Sequence, residues 1–180
     1  MRALALFVLA GALSSAPAAA QTYTPSSDPV SDAVRQVLTN ESKNISAAAK
    51  LMPADKYAFH PTPPQMTFGQ IMAHIAQTNA ALCGGIGDLA APEWMTVAES
   101  ADKDTLVAAI DKSFEYCTQA LAKVKDTQLA DEVTIFGRRT GRSRAFAMVT
   151  IATDWTDHYS TAASYLRLNG ILPPTAQPKP

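Results

Sequence analysis

The feature that most constrains the fold is the spacing of apolar residues in four long segments of the chain. In each segment apolar side chains return every three or four positions, which places them on one face of an α-helix of roughly 17–27 residues. The predicted helices extend from about Pro29 to Met52, Thr67 to Cys83, Asp104 to Lys125 and Ser143 to Asn169. Because no run of strand-like segments accompanies them, we expect an all-α fold, a four-helix bundle.

Local signals at the helix ends support these boundaries. Asp28 is the expected N-cap of the first helix, because a proline follows it at the first helical position. Thr67 and Gln70 have the spacing of a capping box at the start of the second helix. The Cys-Gly-Gly segment 83–85 is expected to end or loosen that helix, and Gly170 suits the residue that follows the fourth.

The connections before the second and fourth helices are long, which favours a bundle with crossovers over a simple up-down-up-down topology. Val133, Ile135 and the glycine-bounded turn 137–141 also predict a short strand or β-hairpin before the last helix. We divide the chain into a signal peptide at 1–20, a polar leader at 21–27, the bundle at 28–172 and a proline-rich tail at 173–180.

The first 20 residues have the features of a secretory signal peptide. Arg2 precedes an apolar run from Ala3 to Leu13, and small residues stand directly before Gln21. This run is too short to span a membrane, and no later segment is continuously apolar. We therefore expect a secreted or periplasmic protein with no stable membrane insertion after signal cleavage.

The charge balance argues against nucleic acid as a partner. Without residues 1–20 the chain has 14 Lys and Arg against 16 Asp and Glu, whereas nucleic-acid binding requires a basic surface. A local basic group precedes the fourth helix, and we interpret it as a solvated turn in preference to an anion site. Its members are Arg138, Arg139, Arg142 and Arg144.

The two cysteines of the chain, Cys83 and Cys117, predict one disulfide. An oxidising compartment allows such a bond to form and persist. The alternative is a pair of buried thiols that pack as small apolar side chains.

Two of the three histidines fall within predicted core helices. Asp154 and His158 are four residues apart on one face of the fourth helix, and His74 flanks the apolar stripe of the second. Two imidazoles and one carboxylate suit a divalent transition metal with open coordination positions. The spacing alone favours a simpler interpretation, in which His74 is a hydrogen-bonded buried histidine and the other two form an exposed pair.

Three stretches of the chain resemble the DinB/YfiT-like metalloenzyme superfamily. YAFHPTPPQMTFGQIMAHIAQTNAALC, residues 57–83, resembles the second-helix region of that family. DWTDHYSTAASYLRLNGILPP, residues 154–174, is similar to its fourth helix, and SFEYC at 113–117 also fits. The resemblance implies a four-helix bundle, a homodimer and a divalent metal, such as zinc, nickel, manganese or iron, held by three histidines.

Carried over by position, the resemblance makes His74 and His158 metal ligands and puts Asp154 where a histidine is usual. An aspartate lowers the net charge of the metal site by one and weakens its Lewis acidity, unless its side chain is too short to reach the metal. His60 stands where related secreted sequences carry arginine. It is a fourth ligand, a supporting donor or a surface loop residue, and Tyr165 is a second candidate for a supporting role.

The resemblance implies a metal-dependent thiol transferase or isomerase that acts on a small molecule, and a metal-dependent hydrolase is the variant that we keep open. An exported location weakens the thiol variant, because low-molecular-weight thiols are scarce in oxidising compartments. Membership of a fold does not transfer a substrate. The alternative is a non-catalytic protein that binds a metal or small molecule, or a dimerisation module with a degenerate site.

Overall fold

The computed structural model describes residues 24–135 and 137–178. Within them the chain forms four α-helices and an antiparallel pair of short strands, so the predicted bundle and hairpin are both confirmed. The predicted signal peptide and the first three residues of the predicted leader lie outside the described residues. The elements are α1 (Pro29–Leu51), α2 (Phe68–Gly87), α3 (Lys103–Leu121), β1 (Glu132–Ile135), β2 (Arg138–Ser143) and α4 (Arg144–Leu168).

Helices α2 and α3 run parallel to each other. Gly69, at the start of α2, lies against Leu106 near the start of α3, and Gly87 lies against Ala120 near the end of both. The connection 88–102 therefore returns the chain along the bundle. The sequence predicts crossovers at the long connections before the second and fourth helices, whereas this crossover follows the second helix.

Large apolar side chains from all four helices meet in one core. Each contributes about 1.5–3 kcal/mol when it is fully removed from water. These residues supply the burial that makes helices of this length stable, because helix propensity alone is too weak. Those with almost no exposed surface include Ile45, Met52, Phe68, Ile75, Ile110, Leu121, Met148, Ile151 and Trp155.

The glycines near the end of α2 do not end the helix, contrary to the sequence-based expectation. Helix α2 continues to Gly87, and Asp88 follows it in the left-handed region with φ 53°. A Cβ at Gly87 would lie 2.6 Å from the Cα of Ala120, and one at Gly85 would lie 3.0 Å from the carbonyl oxygen of Thr134. The glycines thus allow α3 and β1 to approach α2 closely, which offsets their low helix propensity.

The start of α1 is capped by a residue distant in sequence. The Asp126 carboxylate accepts hydrogen bonds from the backbone N–H groups of Val30 and Ser31, each at 2.9 Å. Asp28 occupies the N-cap position and Pro29 begins the helix, as predicted, but the Asp28 side chain makes no cap hydrogen bond. Its carboxylate instead accepts the N–H of Asp126 at 2.8 Å. Asp126 occupies the donors that a local N-cap would have used.

The C-terminal end of α3 is capped by a side chain of α1. Helix α3 stops at Leu121, four residues before the predicted Lys125. The guanidinium of Arg35 donates to the carbonyl oxygens of Leu121 at 2.8 Å and Val124 at 3.2 Å. Carbonyl groups at a helix end need such donors, and α1 supplies them here.

The basic group before α4 is only in part a solvated turn. Arg138, Arg139 and Arg142 are exposed, as expected. Arg144 is only 5% exposed and donates to the Ile86 carbonyl oxygen and, at 3.0 Å, to Asp88. As the first residue of α4 it faces the end of α2, where terminal carbonyl groups favour a cation.

The disulfide between Cys83 and Cys117 is present, and it joins α2 to α3 at a sequence separation of 34. Both cysteines are fully buried. Among the described residues, no helix is both long and apolar enough to cross a membrane.

We predict that reduction of the disulfide lowers the free energy of unfolding by about 3–4 kcal/mol, because a bond that closes a loop of this length restricts the unfolded chain. Urea unfolding of the oxidised and the fully reduced chain measures the difference. Equal unfolding midpoints in the two states would contradict the prediction.

We further predict an acid-dependent loss of stability that depends on Asp126. Burial raises the pKa of Asp126, but hydrogen bonds from Val30 and Ser31 outweigh it and the net pKa is lowered. A lowered pKa in the folded state means that the stabilisation is complete above the unfolded pKa of about 3.9 and is lost as the pH falls below it. Melting temperatures of Asp126→Asn should therefore fall less steeply with acidification than those of the wild type.

The matched control is Asp55→Asn, because the Asp55 side chain is exposed at the protein surface. This variant should retain the pH dependence of the wild type. Identical acid profiles for the wild type and Asp126→Asn would show that the cap contributes no pH-dependent stability.

Candidate metal centre

The structure brings together the three residues predicted to hold a metal. His74 lies on α2, and Asp154 and His158 lie one turn apart on α4. One potential ligand atom from each residue lies within 4.8 Å of those of the other two. Antiparallel packing of α2 against α4 produces this cluster, since each helix alone supplies only part of the set.

The cluster sits at the edge of the core. Trp155 and Ile151 on α4, and Ile75 on α2, are buried beside it and fix the two helix faces. The side chains of Asp154 and His158 are 19% and 17% exposed. The site is thus largely desolvated but not sealed from solvent.

The two imidazole rings stack. Their centroids are 4.9 Å apart, with an angle of 19° between the ring planes. The Nε2 atom of His74 lies 3.4 Å from the Thr78 hydroxyl, one turn further along α2. The Nδ1 atom of His158 lies 4.0 Å from Oδ1 of Asp154, which is too long for a hydrogen bond.

Two polar atoms of the cluster are buried without a partner. Among the described residues, neither Oδ2 of Asp154 nor Nδ1 of His158 has a hydrogen-bond partner. A buried polar atom in this condition costs about 1–3 kcal/mol, and such atoms are few in folded proteins. An unpaired carboxylate oxygen and an unpaired imidazole nitrogen in one cluster are donors that a divalent transition metal accepts. The residues therefore fit such a metal.

Burial raises the pKa of the Asp154 carboxyl group, while the neighbouring His158 and His74 lower it. The balance remains a raised pKa, because desolvation of the carboxylate is the largest cause. A cation beside the carboxylate would compensate that desolvation, since it favours the charged form.

His60 and Tyr165 are not part of the cluster. His60 lies in the loop between α1 and α2, where its Nδ1 atom is 2.9 Å from the carbonyl oxygen of Thr62. The Tyr165 hydroxyl donates to the carbonyl oxygen of Met66 at 3.0 Å, which fastens α4 to the start of α2. Of the three interpretations of His60, the surface loop residue agrees best with this arrangement.

Asp157 is exposed, as the sequence predicts, but it also lies close to the cluster, which the sequence does not predict. Its side chain is 81% exposed, in agreement with the expected solvent-facing orientation. Its Oδ2 atom nevertheless lies 3.6 Å from Nδ1 of His158. Asp157 is thus a second carboxylate at the outer edge of the cluster.

A buried hydrogen-bond network of Trp155, Asn79 and Ser113 lies next to the cluster and was not predicted from the sequence. The indole N–H of Trp155 donates to Oδ1 of Asn79 at 2.6 Å, and the amide of Asn79 donates to the Ser113 hydroxyl at 2.9 Å. All three residues are buried. The sequence does contain an indication of this network. Asn79 is a polar residue in the apolar stripe of α2, and a polar group buried there needs a hydrogen-bond partner.

Comparison with known proteins agrees with this architecture. A model of the DinB superfamily matches residues 38–162, a range that includes all three residues of the cluster. A DinB-like protein of Bacillus cereus has a TM-score of 0.63 at 17% identity, over 79% of this chain and 95% of that protein. A conserved protein of Enterococcus faecalis has a TM-score of 0.63 at 16% identity, over 77% and 96%. At such identities the two structures support the fold alone, and no curated protein matches the chain.

We predict that Asn79→Leu lowers the free energy of unfolding by about 1–3 kcal/mol, because it leaves the buried Trp155 N–H without an acceptor. The Ser113 hydroxyl loses the bond from Asn79 but still donates to the Ile110 carbonyl oxygen. The asparagine and leucine side chains have similar shapes, so the change removes hydrogen bonds with little change of volume. Denaturant unfolding measures the loss. Asn40→Leu on the exposed side of α1 is the control, and an equally small effect in both variants would refute the role of the network.

Proposed function

This chain belongs to the DinB superfamily, and from that premise we propose that it binds one divalent transition metal through His74, Asp154 and His158. Members of the superfamily bind divalent metals. The observation that carries the proposal is the pair of buried, unpaired atoms, Oδ2 of Asp154 and Nδ1 of His158. A metal would satisfy both of them at once.

The proposed activity is that of a metal-dependent transferase or hydrolase that acts on a small molecule. When bound, a divalent metal supplies Lewis acidity toward an oxygen or sulfur atom of that molecule. Three protein ligands leave coordination positions for it. The helices hold the three side chains, and Asp154 and His158 are each less than one fifth exposed, so the site is largely shielded from bulk water.

The second candidate is a non-catalytic metal-binding or small-molecule-binding protein of the cell envelope. One observation favours it: a cavity of about 860 Å³ lies elsewhere, between the starts of α2 and α3. Tyr57, Gln70 and Lys103 line this cavity, and none of the three cluster residues does. Export and homodimer formation stay predictions from the sequence under either candidate.

We predict that the purified protein carries near-stoichiometric metal after separate reconstitution with zinc, nickel, manganese and ferrous iron. Elemental analysis of the desalted protein measures the content. His158→Ala should lose the metal, because one of its ligands is removed. Metal at background level in the wild type with all four ions would refute the proposal.

His60→Ala is the matched control, because it removes a histidine that lies outside the cluster. It should retain the metal of the wild type. Loss of metal in this variant would instead make His60 a fourth ligand. A turnover assay distinguishes the catalytic from the non-catalytic function. The metal-loaded wild type is tested with thiol-reactive electrophiles and with hydrolysable esters and amides, and His158→Ala is the negative control.

A further inference from the structure

We propose, on the basis of the metal site above, that Asp154 makes this centre a two-histidine, one-carboxylate site with a bias toward divalent ions that accept anionic oxygen, Mn²⁺ above all and also Fe²⁺. Carboxylate oxygen suits hard ions such as Mn²⁺, whereas imidazole nitrogen suits zinc, copper, nickel and also iron. Two histidines and one carboxylate with open positions are the ligand set typical of non-haem ferrous centres. The bias is measured relative to a site in which the carboxylate is replaced by a third imidazole.

The first step is that the Asp154 side chain reaches the cluster. A carboxylate oxygen of Asp154 lies within 4.8 Å of a ring nitrogen of each histidine. Its Oδ2 atom is buried and does not point into solvent. A shorter side chain than histidine at this position is therefore still able to contribute a ligand atom.

The second step is that the carboxylate has no other partner in the described part of the chain. Its only ionisable neighbour at ion-pair distance is His158, at 4.0 Å, which is too long for a hydrogen bond. Across the interface, α2 presents His74 and Thr78, neither of which carries a fixed positive charge. A conventional salt bridge thus does not account for the buried carboxylate, and a bound cation does.

The third step concerns charge. Two neutral imidazoles and one carboxylate leave a divalent ion with a net charge of one, whereas three imidazoles leave it with two. The lower charge weakens the polarisation of a bound ligand and favours ions that prefer anionic oxygen. Asp157, at 3.6 Å from His158, adds a further negative charge at the edge of the site but lies mostly in solvent.

The test compares Mn²⁺ and Zn²⁺ affinities in four proteins: the wild type, Asp154→His, Asp154→Asn and Asp157→Asn. The electron paramagnetic resonance signal of free Mn²⁺ reports manganese binding, and competition with a chromophoric chelator reports zinc binding. Loss of groups that only support a ligand costs about 10–100-fold in affinity. We therefore expect Asp154→His to shift the ratio of the two affinities toward zinc by at least about tenfold, which is the lower end of that range.

Asp154→Asn and Asp157→Asn each remove one negative charge, three residues apart on the same helix, so their comparison separates coordination from the general electrostatic field. Asp154→Asn should lose manganese affinity strongly, and Asp157→Asn should lose little. If Asp154→His fails to fold, as judged by circular dichroism and thermal melting, this comparison carries the test alone.

Equal affinity ratios in the wild type and in both Asp154 variants would overturn this inference, because Asp154 would then not be a ligand. The proposed function would survive that result as long as metal is bound and is lost in His158→Ala. Absence of binding for both ions in the wild type would overturn the inference and the proposed function together.

Discussion

The arrangement of the bundle depends on the side chain of Asn79. From the middle of α2 it accepts a hydrogen bond from Trp155 on α4 and donates one to Ser113 on α3. Because both bonds are buried, sliding any of the three helices along its axis would leave polar groups unsatisfied in the core. Asn79 therefore helps to fix the register of α2 against both neighbours, alongside the disulfide to α3, and this register sets His74 opposite Asp154 and His158.

Features that depend on neighbouring residues in the chain were predictable. Helical spacing indicated all four helices, and the capping box of Thr67 and Gln70 has the hydrogen bonds that its spacing predicts. The short hairpin before α4 also followed from local turn residues. In each case the interacting residues lie within a few positions of one another along the chain, so the local sequence is enough to predict the structure.

Features that depend on distant residues were not predictable in the same way. The cap of α1 comes from Asp126, almost a hundred positions away, and Arg144 is buried only because the end of α2 lies beside it. The glycines of α2 do not end the helix but allow it to pack closely against Ala120. Whether a glycine ends a helix or permits close packing depends on the neighbouring helix, which the local sequence does not show. The candidate site is intermediate: its members were identifiable from residue type and helical face, but their convergence and their unpaired atoms required the packed helices.

The segment 88–102 is not the only covalent connection between the parallel helices α2 and α3. The disulfide between Cys83 and Cys117 already links the two helices covalently, and Gly87 packs directly on Ala120 beyond it. A proteolytic cut within the crossover would therefore produce two polypeptides that remain joined and aligned. Exposed connections of this kind tolerate nicking, insertion and new chain ends, and here the cystine bridge would keep both fragments in one particle after the backbone between them is severed.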